Sequence, residues 1–98
     1  PVIGDWDGDG DDTIGVVTTN NQWSLRNSNN SGSAAAGTPS YGHVPGYPVV
    51  GDWDGDGDDT IGSVSTGGTW SLRNSNDSGA PNVTFQYGFP GTVPIIWK

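Results

Sequence analysis

Gly4-Asp5-Trp6-Asp7-Gly8-Asp9-Gly10-Asp11-Asp12-Thr13-Ile14-Gly15 returns unchanged as Gly51-Asp52-Trp53-Asp54-Gly55-Asp56-Gly57-Asp58-Asp59-Thr60-Ile61-Gly62, 47 residues further on. Ten of the eleven acidic residues stand in these two stretches. Outward from them the match continues: residues 1–32 align with 48–79 without a gap, and 25 of 32 positions are identical. The spacing then slips by one residue, after which Tyr41-Gly42 matches Tyr87-Gly88 and Pro48 matches Pro94. The chain therefore divides into a first unit (1–47), a second unit (48–93) and the start of a third copy (94–98). That last piece repeats the apolar strand that elsewhere precedes an Asp loop, and it is expected to act as a closing strand.

Each unit reads as four short strands. Val2-Ile3-Gly4 and Val49-Val50-Gly51 are apolar and lead into the Asp loops. Thr13 to Thr19 and Thr60 to Thr66 follow the loops and are rich in β-branched residues. Trp23-Ser24-Leu25-Arg26 and Trp70-Ser71-Leu72-Arg73 alternate apolar and polar, as half-buried strands do. Between the second and third strands, Asn20-Asn21 and Gly67-Gly68 read as two-residue hairpin turns that tolerate positive φ. The fourth strand is clear in the second unit, from Asn82 to Tyr87. In the first unit the same region holds Pro39 and few β-formers, so a ragged outer edge is expected there.

The Asp loops carry the chemistry. Five carboxylates within eight residues repel one another unless a cation lies among them. Asp-x-Asp-x-Asp-Gly presents three carboxylates around a tight turn, and hard cations such as Ca²⁺ take six to eight oxygen ligands. The carboxylates are Asp5, Asp7 and Asp9 in the first copy, with Gly10 at the bend; Asp52, Asp54, Asp56 and Gly57 repeat them. An EF-hand would need a bidentate Glu at the twelfth loop position. Val16 and Ser63 stand there, and the chain has no Glu. Glycine-rich calcium nonapeptides need consecutive short repeats, and these loops lie far apart.

The segment resembles the calcium loops of FG-GAP and VCBS-type repeats, which lead straight into a strand of a β-propeller blade. The resemblance implies Asp5, Asp7, Asp9 and the Asp11 carbonyl as ligands in the first unit. It implies Asp52, Asp54, Asp56 and the Asp58 carbonyl in the second. The closing Asp of those loops aligns with Thr13 and Thr60; the carboxylate stands one residue earlier, at Asp12 and Asp59. Either these close the cage from a shifted geometry or water does. The expected cofactor is Ca²⁺, two per chain. Four strands in a repeat of about 40 to 50 residues also fit a propeller blade. The expected fold is all-β, with antiparallel four-stranded β-propeller blades, two per chain, closing a ring by oligomerisation. Two blades leave sheet faces and edges open, so a homo-oligomer is expected. A trimer with six blades is favoured and a tetramer with eight is possible.

Composition narrows the functions. Hydrophobic residues make up 31% of the 98, low for a chain that buries a core alone, while five Trp imply an aromatic and shared one. Formal net charge is −8, and Arg26, Arg73 and Lys98 are the only Lys or Arg residues. Nothing forms a basic stripe, so nucleic-acid binding is not expected. Nor does any apolar run reach membrane-spanning length. With no Cys, thiolate chemistry is excluded. Loops of this kind work where Ca²⁺ is abundant, which points to an extracellular or cell-surface setting.

Catalysis is not expected. His43 is a lone His in a Gly/Pro loop, and no Ser stands in a nucleophile elbow. Trp23 and Trp70 are expected to pack between blades. The functional alternative is that one of them stacks on a sugar ring while Arg26 or Arg73 donates to hydroxyls. Trp6 and Trp53 are expected to cap the packing against the neighbouring blade. A glycan-binding or adhesion module is therefore one expected role. A structural repeat that only assembles and holds Ca²⁺ is the other.

Overall fold

The computed structural model describes residues 1–42 and 45–94; His43, Val44 and 95–98 lie outside the described residues, and with them most of the expected closing strand. Among the described residues there are seven strands and no helix. The first unit contributes β1 (Val2–Gly4), β2 (Thr13–Val17) and β3 (Trp23–Leu25); the second contributes β4 (Gly46–Gly51), β5 (Thr60–Ser65), β6 (Thr69–Leu72) and β7 (Val83–Gln86). They form two antiparallel meanders, ordered β1-β2-β3 and β4-β5-β6-β7.

The first unit thus has three strands where four were expected. Pro39 lacks an N–H, and the segment Ser33–Ser40 is small and polar, so no ladder forms. Two isolated bridges, Gln22↔Ser40 and Leu25↔Gly37, take the place of the strand. Even so, the key bonds are kept. Trp23 Nε1 donates to the Tyr41 carbonyl at 2.9 Å, as Trp70 Nε1 does to the Tyr87 carbonyl at 3.0 Å.

The hairpin turns differ from the expected two-residue form. Asn21 N donates to Thr18 O, Thr18 N donates to Gln22 O, and Asn21 has φ +62°. This is a three-residue loop, with the left-handed residue last. Gly68 takes the same place in the second unit, at φ +93°.

Register fixes two faces on each sheet, because side chains alternate along a strand. Val50 pairs with Ile61, and Pro48 with Ser63 with Ser71, along one face, here called the leading face. Val49, Gly62, Leu72 and Val83 line the other, the trailing face, together with Tyr47, Val64, Trp70 and Phe85. In the first unit Ile3, Ile14 and Val16 are leading; Val2, Val17, Trp23 and Leu25 are trailing.

The core forms where the trailing face of the first unit meets the leading face of the second. Trp6, Trp23, Leu25, Val50 and Ile61 make one buried cluster across that boundary, with Trp23, Leu25 and Ile61 fully enclosed. Val49, Val64 and Leu72 make a second cluster inside the second unit, with Trp53 and Trp70 against it. Trp6 folds over its own strand as well. A Cβ on Gly4 would lie only 2.6 Å from the indole, so the ring can lie flat only over a glycine. Its Nε1 donates to the Ile14 carbonyl at 3.3 Å, and Trp53 does likewise to Ile61 at 3.2 Å.

Candidate metal centre

Each Asp loop hangs between the first two strands of its unit, so strand pairing fixes both of its ends. Asp5 organises the first loop. Its Oδ1 accepts from Asp9 N at 3.1 Å and its Oδ2 from Gly10 N at 2.9 Å. Asp7 Oδ1 accepts from Asp9 N at 3.3 Å, and Asp9 Oδ1 from Asp11 N at 2.9 Å. The second loop repeats this: Asp52 takes the Gly55, Asp56 and Gly57 amides, Asp54 takes Asp56, and Asp56 takes Asp58. Gly10 and Gly57 have φ +94° and +97°, a left-handed bend that residues with a Cβ rarely adopt.

The result is convergence. One carboxylate oxygen from each of Asp5, Asp7 and Asp9 lies within 4.8 Å of the others, and Asp52, Asp54 and Asp56 do the same. Both triads are open to solvent apart from the half-buried Asp5. The donors are carboxylates in a chain without cysteine, which suits a hard oxygen-seeking cation rather than a thiophilic one.

Protonation follows the hydrogen bonds. Desolvation pushes the Asp5 carboxyl up, but the Gly10, Asp9 and Gly8 amides outweigh it and hold it below its usual range. The Gly57 amide leads the same lowering at Asp52. Asp7 and Asp54 move the other way: desolvation raises them, and the neighbouring charges of Asp9 and Asp56 add to it. Each loop therefore holds one carboxylate stabilised by the backbone next to one crowded by its neighbours. A cation among the three carboxylates would offset that crowding.

The remaining acidic residues of the loops are placed differently. Asp11 and Asp58 lie outside the side-chain triads and donate their amides to Asp9 and Asp56. Asp58 reaches over the unit boundary, so that a Cβ on Gly8 would come within 2.1 Å of its Oδ1. Asp59 crosses the same boundary. Asp5 N donates to Asp59 Oδ2 at 2.8 Å, and Asp59 N donates to Asp5 O at 2.7 Å. Asp59 is 4% exposed, whereas its counterpart Asp12 is exposed. Thr13 and Thr60, at the alternative closing position, are buried with Oγ1 donating to the Gly4 and Gly51 carbonyls at 3.4 Å. Sequence reasoning missed the boundary-crossing role of Asp59. The doubled Asp-Asp beside the triad was its signal, but the partner lies 54 residues away.

Of the residues weighed for a sugar, Trp23 is fully buried, so no ring can stack on it in this chain. Trp70 is half-buried and already stacked on Phe85, with centroids 5.8 Å apart and planes at 11°. Arg26 is engaged by Asn30 and the Ser33 carbonyl, and Arg73 by Asp77 and the Ala80 carbonyl. The two guanidiniums thus fasten the loop that follows the third strand of each unit. No family model matches the chain, and no match is found among curated proteins or solved structures.

Proposed function

We propose that the chain is a calcium-stabilised pair of β-propeller blades. In this reading it is an extracellular or cell-surface binding module that assembles with copies of itself and has no catalytic step. The convergence of three carboxylates in each of two identical loops carries the reading. Backbone amides already orient Asp5 and Asp52, so an ion would find part of its cage built. The meander topology and the stacking of one unit's sheet on the next support the blade assignment. A second reading, glycan binding at the second unit, is favoured by the exposed aromatic surface around Trp70, Phe85 and Tyr87.

Calorimetric titration with Ca²⁺, followed by thermal melting with and without EDTA, tests the proposal. The expected stoichiometry is one ion per triad, falling by one with Asp7→Asn and again with Asp54→Asn. An ion bound only by the folded state at a hundredfold excess over its Kd adds about 2.7 kcal/mol, so chelation should lower the melting temperature. Ca²⁺ should restore it better than Mg²⁺. A melting curve indifferent to rigorous chelation would overturn the assignment.

A further inference from the structure

The two units are nearly the same sequence over their first 32 residues, yet only the second has its leading face covered. In the second unit the leading face is covered: Val50 is 8% exposed, Ile61 0% and Ser63 2%. The same positions in the first unit, Ile3, Ile14 and Val16, are 54%, 41% and 54% exposed. On the trailing face both units bury aliphatic side chains, Leu25 in the first and Val49, Val64 and Leu72 in the second. The aromatics differ: Trp23 is fully buried, while Trp70 is half-buried and Phe85, Tyr87 and Phe89 around it are 43%, 75% and 68% exposed. These aromatics line an apolar groove of about 660 Å³ with Val64 and Val93. The chain therefore shows at one end the leading face that it covers in its middle, and at the other end an exposed aromatic strip on the trailing face.

We infer that the exposed aromatic strip on the trailing face of the second unit is a docking site for a second copy of this chain, which enters with its Ile3, Ile14 and Val16. This rests on the assembly part of the function proposed above and names the faces that would do it. The internal boundary is the template. Within one chain a trailing face already accepts a leading face, closing Trp6, Trp23, Leu25, Val50 and Ile61 into one cluster. The intermolecular version places Val16 where Ser63 stands internally, so the incoming surface is more apolar than the one already accepted. The Asp59 contact has its counterpart too. Asp12 of the second copy would accept from the Asp52 amide, as Asp59 accepts from the Asp5 amide. The contact joins unlike surfaces, so each docked copy presents the same open face again. Such head-to-tail contacts close into rings or run on as filaments. A sugar is the weaker occupant, because the neighbouring Arg73 is held by Asp77 and the Ala80 carbonyl.

Light scattering coupled to size exclusion, in saturating Ca²⁺ at tens of micromolar chain, tests this on the wild type, Ile14→Asp and Phe85→Asp. Both side chains are exposed, so each variant should fold with an unchanged far-ultraviolet spectrum. The wild type should be an oligomer and each variant alone a monomer. Mixed in equal amounts, the two variants should form a heterodimer and nothing larger, since one intact leading face and one intact trailing face remain between them. A monomeric wild type, variants that keep the wild-type mass, or a mixture that stays monomeric would each overturn the inference. So would binding on a glycan array that the wild type and Ile14→Asp share and Phe85→Asp lacks, at concentrations where the wild type should be assembled. Calcium titration of the wild type, read beside its mass, keeps the two proposals apart: ions bound without assembly sink only the docking, and assembly without ions sinks only the metal reading.

Discussion

Ile14 and Ile61 occupy the same place in the same twelve-residue sentence, and the chain treats them in opposite ways. Ile61 is fully buried and Ile14 is 41% exposed. Local sequence is identical around both, so nothing local can account for the difference. The neighbour decides: the first unit lies over Ile61, and no described residue lies over Ile14 in that way. In a repeat fold, burial belongs to a boundary between units rather than to a residue, and the energetic weight of a position follows its place in the row.

The comparison breaks most visibly by deleting the two side chains. Ile61→Ala should destabilise the chain by about 2–5 kcal/mol, the range for large-to-small changes in a packed core. Ile14→Ala should cost only a few tenths in dilute monomer, as exposed substitutions do. Urea unfolding at submicromolar and at high chain concentration measures both. If copies dock as inferred, the two costs should converge as concentration rises. Equal costs at every dilution would mean that the boundary is not where the stability resides.

Asp59 and Asp12 make the second pair. Asp59→Ala removes a charged acceptor from the Asp5 amide across the boundary and should cost about 1.5–3 kcal/mol. Asp12→Ala, at an exposed position, should leave the melting temperature of the monomer nearly unchanged. Asp59→Asn, which keeps an acceptor oxygen, should recover part of the loss. Similar effects at both sites would show that the two residues act within their own loops instead.

The smallest expected effect is the sign of the acid response. In EDTA, Asp7 and Asp54 have folded values above the ordinary carboxylate value of 3.8. The folded state then takes up protons first, and stability rises as the pH falls from neutrality toward that value. Asp5 and Asp52 have depressed values, so their stabilising contribution is lost further down, as the pH falls through them. With Ca²⁺ bound, protons compete with the ion and the melting temperature should only fall. Asp77, lowered chiefly by its bond from Arg73, contributes alike in both conditions and cancels. Parallel curves with and without Ca²⁺ would remove the triads from the explanation.

Much of this fold was legible in the sequence. The strands were found to within a residue or two at most ends, because β-branched runs and the Trp-x-Leu alternation have a period of two. Pro39 pointed to a ragged outer edge in the first unit, but the loss of the whole fourth strand there went beyond that expectation. Strand β4 begins at Gly46, earlier than its apolar core implied, since Tyr47 and Pro48 pair with Val64 and Ser63. The hairpins were misjudged because Asn20-Asn21 looks like a turn of two, whereas only Asn21 takes the left-handed conformation. The Asp triads could be read directly, as alternate carboxylates in a tight loop must converge. Asp59 could not. Its role is written between units, and Asp12 carries the same letter in the same context without the same surroundings.

Asp5 belongs to two structures at once. Its carboxylate accepts the amides that shape the first triad, and its own backbone N–H and carbonyl are both bonded to Asp59. The two sites therefore share one residue's freedom. By linkage, whatever the docked second unit adds to the affinity of that loop for an ion, the ion returns as affinity of the loop for the second unit. Asp52, at the same point of the second loop, would meet such a partner only on docking another copy. The two loops should then titrate with different affinities despite their identical sequence, the first tighter in dilute solution. That gap should shrink as chains associate, which would make occupancy of the second loop a chemical record of assembly.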